Sequence, residues 1–350
     1  MGNTDFKIFC RDIAIGLVII ITIVFLSNLS GIFDFHEVSS RPEQMWRTLI
    51  QKKSANTDEI IFSGNSHTYF LNPIIIDSIT KKKSQSFGYS GAIIKPLSWF
   101  LFNSLDYLNP KLVVLETHSF LNSFRSSSID LIRYKRWEND YPRFNESLIN
   151  LNYISWSQKI LLESYSLFDT NKFEIPYLIT GPAIKNHFVF ETLPSNIFNA
   201  LFPSKNNVAL QGFKESHHLP ISDSILQQYN REKAPLLLPP IGLKELLIVE
   251  SIIAKCKARG IEVLIYESPM YYKSVKSSYK RKKQLDSFCE RLNIPYLDLN
   301  LDVSLTRTPH YFQNTTSINQ HLTIDGANAV SKTIANYIVE QKLLSIRKKN

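Results

Sequence analysis

The sequence predicts an α/β fold built on a parallel sheet, and three observations predict it. Ile60–Phe62, Lys111–Glu116 and Ile261–Tyr266 are short β-branched or apolar runs of the kind that form strands buried on both faces. Helical patterns separate them, giving the order β-α-β-α-β from Glu59 to Glu116. That order implies right-handed crossovers between parallel strands. The alternation then resumes at Ile241, after a long stretch without it.

Residues 1–12 form a polar tail carrying Lys7 and Arg11. Ile13–Phe33 follows without a single charge. At ~1.5 Å per residue it makes ~30 Å of helix, the thickness of a bilayer core. The sequence therefore predicts an uncleaved transmembrane anchor; a cleaved signal peptide is the competing reading, with Ser27–Gly31 only a loose match to a cleavage site. Lys7 and Arg11 would hold the tail in the cytoplasm and leave the rest extracytoplasmic, periplasmic or at the cell exterior. Arg41, Arg47, Lys52 and Lys53, beyond the helix, weaken that argument without reversing it. Residues 34–56 read as a polar connector with a helix around Glu43–Lys52, and the globular domain runs from Thr57 to Leu344.

Within the domain, the first strand stops at Ser63-Gly64-Asn65-Ser66-His67, whose small residues allow a tight turn that lifts Ser66 clear of the sheet. A serine at the carboxyl end of a first strand sits where open α/β sheets bind ligands. Pro73–Ile79 is a short helix, and Lys81-Lys82-Lys83 reads as a solvated turn. Gln85–Phe87 is a short strand leading into Gly88-Tyr89-Ser90-Gly91. The helix Ala92–Leu108 ends at Asn109-Pro110, and the Lys111–Glu116 strand follows. Residues 120–240 read as a large insertion, rich in aromatic and basic residues, with helical stretches near Asn150–Phe168 and Pro194–Phe202. It is either a substrate-access element or a decorative subdomain. Ile241–Arg259 is a helix closed by Gly260, then come the Ile261–Tyr266 strand, a charged helix over Ser278–Leu292 and a strand over Ile294–Leu299. A last helix runs from Asp325, its expected N-cap, to about Leu344.

The net charge of +9 raises the question of nucleic acid, but no helix-turn-helix, zinc knuckle or aromatic RNA platform accompanies it; anionic lipid or an acidic polymer suits the charge equally. Cys10, Cys256 and Cys289 have neither disulfide nor metal spacing and read as packing residues. His187, His217 and His218 lack a third partner for a metal. No cofactor and no metal is expected. The run Lys280-Arg281-Lys282-Lys283 reads as a solvated helix face.

Gly64-Asn65-Ser66-His67 resembles block I of the SGNH (GDSL-like) esterase and acyltransferase superfamily, standing where Gly-Asp-Ser-Leu is usual. His321-Leu322, followed after three residues by Gly326-Ala327, is similar to the family's block V and its continuation into the last helix. The resemblance covers residues 57–120 and 241–344 and is nearest to membrane-anchored extracytoplasmic members acting on cell-surface polymers. It implies a three-layer αβα, flavodoxin-like SGNH fold, with Ser66 as nucleophile and His321 as general base. It also implies an oxyanion hole from the N–H groups of Ser66 and Gly91, with Asn122, or else His118, in place of the block III asparagine. The usual block V aspartate position holds Ile318, so His321 is oriented by a neutral acceptor or by a carboxylate from elsewhere, Asp298 or Asp302. The implied function is ester hydrolysis or O-acyl transfer, acetyl by preference, on an extracytoplasmic glycan or other surface substrate. A membrane-bound O-acyltransferase is an expected partner. The alternative is a non-catalytic SGNH-like module that binds a glycan or an assembly partner.

Overall fold

A computed structural model describes residues 6–8, 11–19, 22, 58–88, 92, 94–121, 156, 219–231, 234–314 and 321–344. The chain divides into two compact units, one of Met1–Ser40 with Ser126–Asn206, the other of Arg41–Arg125 with Asn207–Asn350. The second unit carries the sheet. Residues 13–19 of the expected anchor are helical, as are Arg11 and Asp12 before it. Among the described residues no helix is long and apolar enough to cross a membrane. Most of Ile13–Phe33 and of the helical stretches of the insertion, and all of the connector helix, Cys10, His187, His217 and His218, lie outside the described residues.

In chain order the strands are β1 (Asp58–Gly64), β2 (Lys83–Gly88), β3 (Leu112–Glu116), β4 (Leu236–Leu238), β5 (Glu262–Glu267), β6 (Val275–Ser277) and β7 (Tyr296–Asp298). The helices are α1 (Ser66–Tyr69), α2 (Pro73–Thr80), α3 (Ile94–Tyr107), α4 (Asp223–Arg231), α5 (Leu243–Ala258), α6 (Tyr279–Leu292), α7 (Val303–Thr306) and α8 (Ile324–Glu340). Five strands form one parallel sheet in the order β2-β1-β3-β5-β7. The chain thus steps from β1 outward to β2, then returns past β1 to β3. This reversal of direction between β1 and β3 is the topological switch point, where open sheets leave a crevice at the carboxyl ends of their strands.

Both faces of the sheet are covered, as strands this apolar require. On one face Ile60, Phe62, Leu112, Val114 and Leu264 share a core with Ile76 of α2 and with Val330, Ile334 and Ile338 of α8. Their alternates Ile61, Val113, Leu115, Val263 and Ile265 are equally buried. On that side α3 and α5 pack against each other, α3 on β1 and α5 on β5. Cys256 and Cys289 are free, buried thiols, consistent with a packing role. At about 25 cal/mol per Å², each of these buried aliphatic side chains contributes roughly 1.5–3 kcal/mol of transfer free energy.

The structure corrects several sequence-based boundaries. β2 is longer than Gln85–Phe87, because Ser84 satisfies its buried hydroxyl on Asp77 of α2 (2.6 Å) and Ser86 on the Thr68 carbonyl. Lys82 is not simply solvated but reaches Glu59 at 3.0 Å. The end of the expected insertion, beyond its two predicted helical stretches, holds α4 and β4. Tyr229 of α4 enters the core, and β4 pairs with β6 in a second, two-stranded parallel sheet. Asp325 is not the cap of the last helix. Thr323 is, its hydroxyl accepting the Gly326 N–H at 3.3 Å, which leaves Asp325 in the first turn, where its charge suits the helix dipole.

The largest correction concerns the basic run on α6. Lys280, Lys282 and Lys283 do face outward to differing degrees, but Arg281 is fully buried. Its Nε donates to the Glu267 carboxylate at 2.9 Å, and both side chains are sealed from water. Its Nη2 donates to the Thr117 carbonyl at 3.2 Å. An arginine inside a run of lysines gives no sequence sign of burial; the acid it meets is fourteen residues away on another element.

Candidate active site

The site is built at the carboxyl ends of β1 and β3. β1 ends at Gly64, which lies abreast of Gly88 at the end of β2. A Cβ at Gly64 would come within 2.1 Å of Thr68 Oγ1 and 2.6 Å of Glu116 Cβ, so only glycine lets the chain turn this tightly between its neighbours. A Cβ at Gly88 would meet the Asn65 carbonyl at 2.8 Å and the Tyr69 nitrogen at 2.9 Å. The turn therefore rests directly on β2. Asn65, in extended conformation, then caps α1: its Oδ1 accepts the His67 backbone N–H at 3.0 Å and the His67 Nδ1–H at 2.9 Å. Asn65 thus fixes both the start of the helix and the tautomer of His67.

Ser66 is the first residue of this helix and is only 6% exposed. Its Oγ lies 2.7 Å from Nε2 of His321. The two residues are 255 apart in the chain, so the contact is a product of the fold. His321 comes from the segment before α8. That segment is tied down by its backbone: the Gln313 N–H donates to the His321 carbonyl (2.8 Å), Gln313 Nε2 to the Leu322 carbonyl (2.9 Å), and the Thr323 N–H to the Tyr311 carbonyl (2.9 Å). The imidazole is flanked by the rings of Phe70 and His67, with centroids at 5.1 and 5.3 Å. A serine hydroxyl this close to an imidazole nitrogen can pass its proton as it attacks an electrophile.

Two carboxylates considered for orienting His321 are engaged elsewhere. Asp298 accepts the Asn300 N–H at 2.9 Å and faces Lys282 at 3.6 Å. Burial, then the nearby charge of Glu267, raise its pKa. Asp302 caps α7 through the Ser304 N–H and hydroxyl. Of the residues expected as oxyanion donors, Ser66 begins α1, while Gly91 and Asn122, like Ile318, lie outside the described residues.

In the layer beneath the Ser66–His321 pair the sequence singles out His118, as the alternative to Asn122, but gives no role to Glu116 or Glu267. Glu116 ends β3 without exposure to water, and its carboxyl accepts the N–H of His118 (2.8 Å) and of Ser119 (3.3 Å), capping the single 3₁₀ turn Thr117–Phe120. Burial, reinforced by the charge of Glu267, pushes its carboxyl up to about 8. Burial alone would push Glu267 up as well, but Arg281, Ser277 and Tyr296 converge on it and hold it below the ordinary carboxylate range. His118, on the turn that Glu116 caps, is 4% exposed and its ring centroid lies 4.2 Å from that of His67. Burial, then the positive charge of Arg281, push His118 down to about 4, so it is neutral at physiological pH. The available signal was the order Glu116-Thr117-His118-Ser119 at the end of an otherwise apolar strand. There a charged residue and a histidine have no packing reason to be.

Among the described residues, no group of three or more His, Cys, Asp or Glu side chains is arranged to hold a metal ion. No protein-family model matches the chain, and no curated protein matches it. Among solved structures it is similar to a protein of Bacteroides fragilis named a "putative acylhydrolase", at 11% identity over 84% of this chain and 94% of that chain, with a TM-score of 0.36. A likeness at that level carries no argument about chemistry, which rests on the geometry above.

Proposed function

We propose that the protein is a serine-dependent acyl-transfer enzyme of the SGNH type, with Ser66 as nucleophile and His321 as general base. One observation carries the reading: the 2.7 Å contact between Ser66 Oγ and His321 Nε2, at the carboxyl end of a parallel sheet beside its switch point. In this reading Ser66 Oγ attacks an ester carbonyl as its proton moves to His321 Nε2. The tetrahedral oxyanion is met by the N–H groups of Ser66 and Gly91. Collapse expels the alcohol, which takes the proton from His321 and leaves an acyl-serine. Water or a sugar hydroxyl, deprotonated by the same imidazole, then attacks the acyl-serine and restores Ser66.

The proposed setting is the extracytoplasmic face of a bacterial membrane, with Ile13–Phe33 as anchor and a surface glycan or other acylated polymer as substrate. The support is the uncharged length of that segment and a net charge of +9 that favours acidic polymers. An acyl group carried across the membrane by an O-acyltransferase partner is the proposed source for transfer. The test is turnover of a short-chain aryl acetate. Ser66→Ala and His321→Ala should each lower kcat by at least ~10³ with the thermal unfolding transition retained. Undiminished turnover in either variant would remove that residue from its role. An inert wild-type protein would leave the non-catalytic binding module as the reading.

A further inference from the structure

We propose that a crevice between α2, α8 and the turn Pro309–Tyr311 is a binding subsite for a carboxylated saccharide, a uronic-acid segment of the polymer whose acyl groups Ser66 handles. The inference rests on the reading of the substrate as an acidic surface glycan and gives that glycan a place on the molecule. The crevice has a volume of about 530 Å³, within the roughly 300–1,000 Å³ of ligand sites. Asp325, Asn328 and Lys332 of α8 line it, at the spacing that puts residues on one helix face. Ile75 of α2, His310 and Tyr311 complete the lining.

Three observations lead to the proposal. First, the crevice lies at the end of the sheet where Ser66 and His321 meet. α2 starts at Pro73, shortly after Ser66, and α8 at Ile324, shortly after His321. The turn Pro309–Tyr311 is bound to the segment carrying His321. Thr323 Oγ1 donates to the His310 carbonyl at 2.7 Å and its N–H to the Tyr311 carbonyl at 2.9 Å. Second, the walls are fixed before a ligand arrives. Asn72 caps α2, donates from Nδ2 to Asn328 Oδ1 at 2.8 Å and from its backbone N–H to the Ser331 hydroxyl of α8 at 2.7 Å. This lacing sets the Asn328 amide with its own N–H group left for a ligand, and a site built in advance loses little entropy on binding.

Third, the polar groups of the crevice are uncommitted and complementary to one kind of ligand. Among the described residues, the side chains of Asp325 and Lys332 have no ion-pair or hydrogen-bond partner. They stand two turns, ~10 Å, apart along the helix, so each meets a different part of a ligand. Lys332 suits a carboxylate, Asp325 accepts from hydroxyls and Asn328 donates. The Tyr311 ring, packed on His310 with centroids 4.6 Å apart, offers apolar surface to the C–H face of a sugar ring. A bare anion such as phosphate is opposed by Asp325, and a neutral sugar leaves Lys332 without a counter-charge. A hydroxylated ring bearing a carboxylate satisfies both.

The probe is tetragalacturonate, with maltotetraose as the uncharged control. The readout is the dissociation constant for the full chain, by titration calorimetry at physiological ionic strength. Tetragalacturonate should bind at least ~10-fold more tightly than maltotetraose. Lys332→Gln should weaken it ~10–100-fold, the loss typical of a charge-assisted hydrogen bond, and an unchanged affinity overturns the inference. Lys280→Gln removes the same charge from the exposed surface of α6 and should stay within about twofold of wild type. A loss there equal to that of Lys332→Gln marks diffuse attraction by net charge and overturns the inference. Asp325→Ala should weaken binding ~3–10-fold, because a hydroxyl loses its acceptor. Tighter binding marks a bare-anion site and overturns it. All three substituted residues are exposed, so the variants keep the fold. Wild-type protein that binds the two sugars equally, or neither, also overturns the proposal. Binding that depends on Lys332 in a protein whose Ser66 is inert overturns the acyl-transfer reading alone. A reactive Ser66 without such binding overturns the subsite alone.

Discussion

Glu116 is a carboxyl group sealed beneath the Ser66–His321 pair, and its burial links stability to pH. Its ordinary value is 4.5, and burial raises it to about 8 in the folded chain. Between those values the folded protein binds one proton more than the unfolded chain at this site. Its contribution to stability is therefore full below about 4.5 and is lost as pH rises toward 8. Glu116→Gln keeps an oxygen for the His118 N–H but no longer titrates. Urea unfolding at pH 5 and pH 8 should show the wild type losing roughly 2–5 kcal/mol more than the variant across that window. Parallel pH profiles for the two proteins would show that the carboxyl is not held neutral by its surroundings. His118 works in the opposite sense at lower pH. Its depressed value costs stability only as pH falls from 6.5 toward 4, so the wild-type profile is a sum and the variant isolates Glu116.

At the scale of elements, the Glu267–Arg281 pair joins the end of β5 to α6 and, through the Thr117 carbonyl, to the turn carrying His118. A buried ion pair adds little over a hydrophobic replacement, but a buried charge left alone is costly. Arg281→Met should therefore cost ~3–5 kcal/mol, and Arg281→Met combined with Glu267→Leu should recover most of that loss, measured by denaturant midpoints. A double variant no better than the single would mean the pair is coupled to more than charge compensation. The same element shows where the sequence was legible. Ile60–Phe62, Val113–Leu115 and Val263–Tyr266 were readable as strands because burial on both faces forces apolar residues in succession. β2 was half hidden because Ser84 and Ser86 are satisfied by partners invisible in a local window. Arg281 was misread because its neighbours are lysines and its acid is remote. The Thr323 cap was displaced by Asp325, a better-ranked capping residue two positions later. Ser66, His321 and, as the alternative to Asn122, His118 were nameable from their local motifs, whereas Glu116 acquires meaning only once β3 is placed beside β1.

Across the whole molecule, the strand order β2-β1-β3-β5-β7 explains why residues from distant parts of the chain meet. The reversal between β1 and β3 opens the crevice, β1 delivers Ser66 to one lip and β3 delivers His118 to the other. The segment before α8 lays His321 over Ser66. Helices on both faces hold that end of the sheet rigid, which a reacting pair requires, since a displacement of about 1 Å can cost ~10²-fold in rate. The proposed anchor is tested at this scale too. The full-length chain should remain in the membrane fraction after an alkaline carbonate wash; a soluble, shortened protein beginning near Gly31 would replace the anchor with a cleaved leader.

Activation of Ser66 by His321 is read out by intact-mass and peptide analysis after exposure to a fluorophosphonate. One phosphonyl group per chain is expected, on the peptide containing Ser66, and none in Ser66→Ala. In His321→Ala labelling should slow by ~10³-fold or more, because the hydroxyl keeps its proton. Labelling that lands on another residue, or that proceeds in His321→Ala at the wild-type rate, would contradict it.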